Sequence, residues 1–114
     1  MDLQSLFDNV RQWAHDKGIT GPNGKGTRLK QLEKVEEEIL ETKMAVLAFK
    51  EARTPTEQWA KLDEIEDGIG DSIVTLIILA EMHGLSAESC LESAYRVISK
   101  RTGSMIDGQF VKDK

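Results

Sequence analysis

The residues in this chain best suited to chemistry are carboxylates, and they fall into two groups. One is the run Glu36-Glu37-Glu38-Ile39-Leu40-Glu41; the other is spread over Asp63, Glu64, Glu66, Asp67 and Asp71. Glu38 and Glu41 are three apart, so on a helix they leave from one side. That side continues as Lys34, Glu38, Glu41, Ala45, Ala48 and Ala52, and a stripe ending in three alanines reads as the polar end of a packed surface. In the second group Glu64, Asp67 and Asp71 share a side, which runs on through Val74 or Thr75 to Ile78. Two helices built this way can gather several carboxylates around one cavity. Like charges at close range resist joint ionisation, so such a cavity holds either protonated acids or a cation.

The donor chemistry points to one kind of cation. Carboxylate oxygens, in a chain with one cysteine and two separated histidines, select Mg²⁺, with Mn²⁺ as a substitute, over zinc. A di-iron carboxylate centre requires a Glu-x-x-His pair on each of two helices. Here Gln12 stands three before His15 and Ala80 three before His83, which excludes that pattern. Mg²⁺ keeps some of its waters and takes substrate phosphates as ligands. An acidic metal site in a chain that also carries Lys34 near the first acids, and Arg96, Lys100 and Arg101 near its end, therefore reads as phosphate chemistry. Trp13 has two readings: a large residue closing one side of the core, or a flat platform for a nucleobase.

The elements that must position these groups are helices. Residues 2–17 carry Leu3, Leu6, Phe7, Val10 and Ala14 at helical spacing, with Asp2 as N-cap and Gly18 as stop. Residues 18–26, with four glycines and Pro22-Asn23, form a loop; no strand precedes it and the Walker spacing is missing, so it is expected to be a flexible connection. Thr27 caps a second helix running to about Ala52, whose other face carries Leu29, Leu32, Val35, Ile39, Leu40 and Leu47. A helix with two packing faces sits between neighbours, within a bundle or at a subunit interface.

Arg53-Thr54-Pro55-Thr56 breaks the pattern, and Thr56 is expected to cap a third helix reaching His83. Its core stripe is Trp59, Leu62, Ile65, Ile69, Ile73, Leu76, Ile77 and Ala80. Gly68 and Gly70 inside it cost about 1 kcal/mol each relative to Ala, which calls for a kink, a close helix contact, or room for a ligand near Asp71. Ser86 caps a fourth helix with Leu91, Ala94, Tyr95 and Ile98 facing inward and Gly103 at its end; Cys90 reads as a small packing residue. Asp107-Gly108, flanked by apolar residues, marks a tight hairpin.

Bulk properties bound the rest. The 114 residues suffice for one domain, 1–114, and the expected fold is an all-α bundle of about four helices with a short C-terminal β-hairpin or extended tail. A net charge of −5 argues against a nucleic-acid polymer as partner. One cysteine excludes an internal disulfide and fits a reducing compartment. With no leader-like stretch and no apolar run of membrane length, the expected location is the cytoplasm, with no membrane partner.

Taken in order, several of these features resemble the MazG-like nucleotide pyrophosphohydrolases of the all-α NTP pyrophosphatase group. The features are Trp13, the loop, Lys34-x-x-Glu37-Glu38-x-x-Glu41, then Asp67-Gly-Ile-Gly-Asp71, the Gly84-Leu85 turn, and Lys100-Arg101-Thr102-Gly103 before the Asp-Gly hairpin. The resemblance implies Mg²⁺-dependent cleavage of a nucleoside triphosphate between its α- and β-phosphates, giving monophosphate and pyrophosphate. It further implies a homodimer or homotetramer. Carried over, Glu38, Glu41 and Asp71 are metal ligands, and Glu37, Glu38 and Glu41 form the catalytic acid group. Trp13, Lys34, Lys100 and Arg101 are substrate contacts. The family carries Glu three before the last acid, where this chain has Gly68; Asp67 is assigned in its place, with Glu64 and Glu37 as alternatives. Other substrates open to the same chemistry are a phosphoribosyl-nucleotide or an alarmone. A helical interaction module without catalysis is the reading from a different class.

Overall fold

The computed structural model describes all residues, Met1–Lys114. Four helices follow in order, α1 (Leu3–Asp16), α2 (Arg28–Glu51), α3 (Pro55–Met82) and α4 (Ala87–Ile98), and an antiparallel hairpin closes the chain, β1 (Gly103–Ile106) with β2 (Gln109–Lys112). Each helix begins on a side-chain cap that satisfies an otherwise orphaned backbone N–H. Asp2 accepts from Ser5 N–H at 2.7 Å, Thr27 from Lys30 at 3.3 Å and Ser86 from Ser89 at 3.1 Å. The cap of α3 is Thr54, not Thr56: its Oγ1 accepts from Glu57 N–H at 3.1 Å, and Pro55 is the first helical residue. Proline belongs there because its missing N–H is one the helix could not have used.

α2 and α3 lie along each other and make the dominant pairing; α1 and α4 each lean on α3. The buried side of α2 is Gln31, Val35, Glu38 and Ala45, and α3 meets it with Gly68, Ser72, Thr75 and Ile78. The stripe of acids and alanines is therefore a packed seam, as its composition predicts. Gly68 is where the helices come closest: a Cβ there would overlap the Thr42 hydroxyl and lie 3.1 Å from the Thr42 Cβ, whereas a Cβ at Gly70 would meet nothing within 4 Å. Close packing thus accounts for Gly68 and leaves Gly70 without a packing role. Residues 18–26 are not a slack connection. Lys25 N–H donates to Gly18 O and Gly26 N–H to Ile19 O, folding the loop on itself.

The other apolar faces are not covered. Leu29, Leu32, Ile39, Leu40 and Leu47 of α2 are exposed, as are Trp59 (72%), Leu62, Ile69, Ile73 and Leu76 of α3. No residue of α4 is buried, so Leu91, Tyr95 and Ile98 do not face a core in this chain. Cys90 is likewise exposed, on the wall of an apolar groove of about 570 Å³ between α1, α3 and α4. α4 also ends earlier than its pattern predicts, at Ile98, so that Gly103 opens β1. The hairpin turns on Asp107 (φ 51°) and Gly108 (φ 84°), the two positive φ values that a tight two-residue turn demands. It packs on no helix, and every residue in it is exposed. The result is an open molecule. Its accessible surface is 8938 Å², where a compact chain of 12.8 kDa presents about 6,300 Å².

Candidate metal and nucleotide site

The acids of both groups meet at the α2–α3 seam. A cavity of about 230 Å³ is lined by Glu41, Ala45, Glu64, Asp67, Gly68 and Asp71. A second, of about 270 Å³, is lined by Trp13, Ile19, Gln31, Lys34, Glu38, Asp71, Val74, Thr75 and Ile78. Asp71 lines both, so the two cavities adjoin across its side chain. Gly68 fits this arrangement too: with no side chain it lets α2 and α3 approach closely, and it lines the α3 wall of the first cavity together with Glu64, Asp67 and Asp71.

Glu38 is the most constrained of the acids. Only 7% of it is exposed, and its Oε2 is enclosed with no hydrogen-bond partner. Its Oε1 faces Lys34 Nζ at 3.4 Å, but the ammonium also reaches Glu37 Oε1 at 3.3 Å, so one cation is shared between two carboxylates. Lys34 is accordingly held in its charged form, its pKa raised chiefly by Glu37 and then by Glu38. Leaving a buried carboxylate oxygen unpaired costs on the order of 1–3 kcal/mol. Glu41 records the same excess charge from the neighbouring position. The Glu38 carboxylate, then loss of solvent, then Glu37 push its pKa above the ordinary carboxylate value.

Glu38, Glu41, Asp67, Asp71, Lys34 and Trp13 all line the two cavities, with Glu64 beside them. Trp13, 49% exposed, is a cavity wall and not a core plug. Glu37 is exposed, bonds Lys34 and lines neither cavity. Lys100 and Arg101 also line neither; they follow α4, whose backbone packs on α3 and whose Glu88 bonds Arg11 and Gln4 of α1, and they form no ion pair within the chain. No three carboxylates, histidines or cysteines stand close enough to enclose an ion in their present rotamers.

Val74 and Thr75, on the side traced from Asp71, line the second cavity, and so does Gln31, which spacing alone did not single out. The available signal was Gln31 itself, a polar residue in register with Val35 and Glu38 on the packed side. Comparison with protein-family models, with characterised proteins and with solved structures returned no match to this chain.

Proposed function

We propose that this protein is a Mg²⁺-dependent nucleoside triphosphate pyrophosphohydrolase of the MazG-like kind, cleaving between the α- and β-phosphates. The observation that carries the reading is the enclosed, unpartnered Glu38 Oε2 beside the perturbed Glu41, in a seam where Asp71 lines a cavity with each of them and Asp67 one with Glu41. A negative charge this poorly compensated suits a divalent cation, and an all-oxygen donor set suits Mg²⁺. Glu38, Glu41 and Asp71 would hold it, with Asp67 as fourth ligand once these side chains turn inward; Glu64 on the same wall is the alternative. There Mg²⁺ would supply Lewis-acid polarisation of the phosphoryl oxygens.

The chain's own groups do the rest. Lys34 offers its ammonium to the triphosphate at the mouth of the cavity. Trp13 presents its ring to the base, and Ile19, Val74 and Ile78 keep water from the nucleoside.

The partner in this reading is a second copy of the chain. The roughly 2,600 Å² of surface beyond that of a compact chain is of the size that obligate homodimers bury. The unpaired Lys100 and Arg101 would then serve a site completed by that copy.

Pyrophosphate release from a panel of (d)NTPs with Mg²⁺ tests the activity. Glu38→Gln and Glu41→Gln should each reduce turnover by more than about 100-fold with helical content intact; undiminished turnover in both removes the reading. Asp67→Asn against Glu64→Gln assigns the fourth ligand. The competing interaction module draws on the exposed apolar faces. It predicts no Mg²⁺ or Mn²⁺ effect on the melting midpoint, whereas a metal site raises it by linkage.

A further inference from the structure

One polar side chain in the cleft has no role in the chemistry above. Gln31, one turn before Lys34 on α2, is only 9% exposed and reaches across to α3, where its Nε2 donates to the Thr75 carbonyl oxygen at 3.1 Å. A carbonyl only accepts, so the amide nitrogen must face Thr75 and the two ends of the amide are not interchangeable. Its Oε1 is thereby turned away from α3. Glu38 Oε2 is the one buried side-chain polar atom both shut from solvent and unpartnered. Gln31 Oε1 accepts no bond within the chain and keeps contact with solvent, and Gln31 lines the cavity.

The surroundings of that oxygen define what it can meet. Trp13, Ile19, Val74 and Ile78 form an apolar slot with a flat indole on one wall, while Lys34, Glu38 and Asp71 make the opposite end charged. Gln31 and Glu38 are two helical turns apart on α2, about 10 Å along the axis. A ligand that spans the cavity thus has its anionic end at Glu38 and Lys34 and a flat end at Gln31.

We propose that Gln31 is a specificity-determining residue that reads the edge of a base held against Trp13. Its fixed acceptor takes a hydrogen bond from an exocyclic amino group. Cytosine and adenine nucleotides are therefore favoured over those of uracil and thymine, which turn a carbonyl toward the same oxygen and leave two acceptors opposed. A buried acceptor left without its donor is what makes such a site reject the wrong base. This inference rests on the hydrolase reading.

The test is pyrophosphate release by wild type and Gln31→Met from dCTP, dATP, dUTP, the pyrimidin-2-one analogue of dCTP that lacks the amino group, and base-free deoxyribose 5′-triphosphate. Wild type should prefer the amino-bearing bases by at least about tenfold in kcat/KM, with the difference in KM. Gln31→Met should abolish the preference while treating the base-free triphosphate as wild type does. The pyrimidin-2-one analogue makes the same comparison on wild type alone, so a poorly folded variant does not decide the matter. Hydrolysis by wild type that is indifferent to the amino group overturns the role of Gln31 and leaves the hydrolase reading standing. No pyrophosphate from any substrate, with the protein folded, overturns both.

Discussion

Two ends of the same helical framework are finished to different degrees. Where α2 meets α3, small residues allow the helices to touch, and the side chains at the seam bond across it or along it. Gln31 bonds the Thr75 backbone, Thr42 Oγ1 bonds Glu38 O at 2.8 Å, and Ser72 Oγ bonds Gly68 O at 2.7 Å. Where α4 leads into the hairpin, nothing covers Leu91, Tyr95, Ile98, Met105 or Phe110. One tether restrains this arm near its root: Glu88 accepts from both terminal nitrogens of Arg11, at 2.7 and 2.6 Å, and from Gln4 at 2.8 Å. An isolated two-stranded hairpin is at best marginally stable in water. The seam is therefore packed within one chain, whereas the apolar residues of the arm are left uncovered by it.

The largest expected effect breaks the arm side of that comparison. Leu91→Glu with Phe110→Ser should dissociate the proposed dimer, read as a fall in mass by sedimentation while far-ultraviolet circular dichroism changes little. Wild type already monomeric at micromolar concentration would remove the contrast. Next, Gly68→Ala attacks the seam. Forcing a methyl against Thr42 should cost about 1–3 kcal/mol, and Thr42→Ala in the same chain should recover part of the loss of melting midpoint.

The tether between the two regions gives a smaller, pH-dependent effect. Arg11, then Gln4, hold the Glu88 carboxyl down at about 2, against an ordinary value of 4.5. A depressed acid binds fewer protons folded than unfolded, so its contribution is fully present above about 4.5 and is lost as pH falls toward about 2. Glu88→Gln should cost about 1 kcal/mol at neutral pH, the pair being partly exposed, and should flatten the acid limb of the stability curve. The smallest change runs the other way. Gly70→Ala meets no neighbour and should raise stability by up to about 1 kcal/mol, in contrast to the same change two residues earlier. A loss at Gly70 would place that face of α3 against a partner.

The sequence carried most of the framework because helix signals are local. Caps at Asp2, Thr27 and Ser86, the periodic stripes and the Asp107-Gly108 turn depend on neighbours within a few residues. The acid stripe was legible for a related reason: carboxylates that lead into alanines on one helical side imply a packed seam whatever packs against it. The role of Gly68 was not legible, since a glycine within a helix reads the same whether a neighbour touches it or a ligand does, and only the approach of Thr42 separates the two. Nor were Gln31's fixed orientation and the sharing of Asp71 between two cavities, which depend on which α3 residue faces which α2 residue.

The same division applies to the apolar faces. By periodicity alone, Leu91, Tyr95 and Ile98 of α4, or Leu29 and Leu40 of α2, are core residues, because a hydrophobic stripe states that a face will be buried and not by what. Only the tertiary arrangement decided that these faces lie outside the chain's own core, because burial depends on contacts between distant segments, while the pattern that demands it is written within each helix.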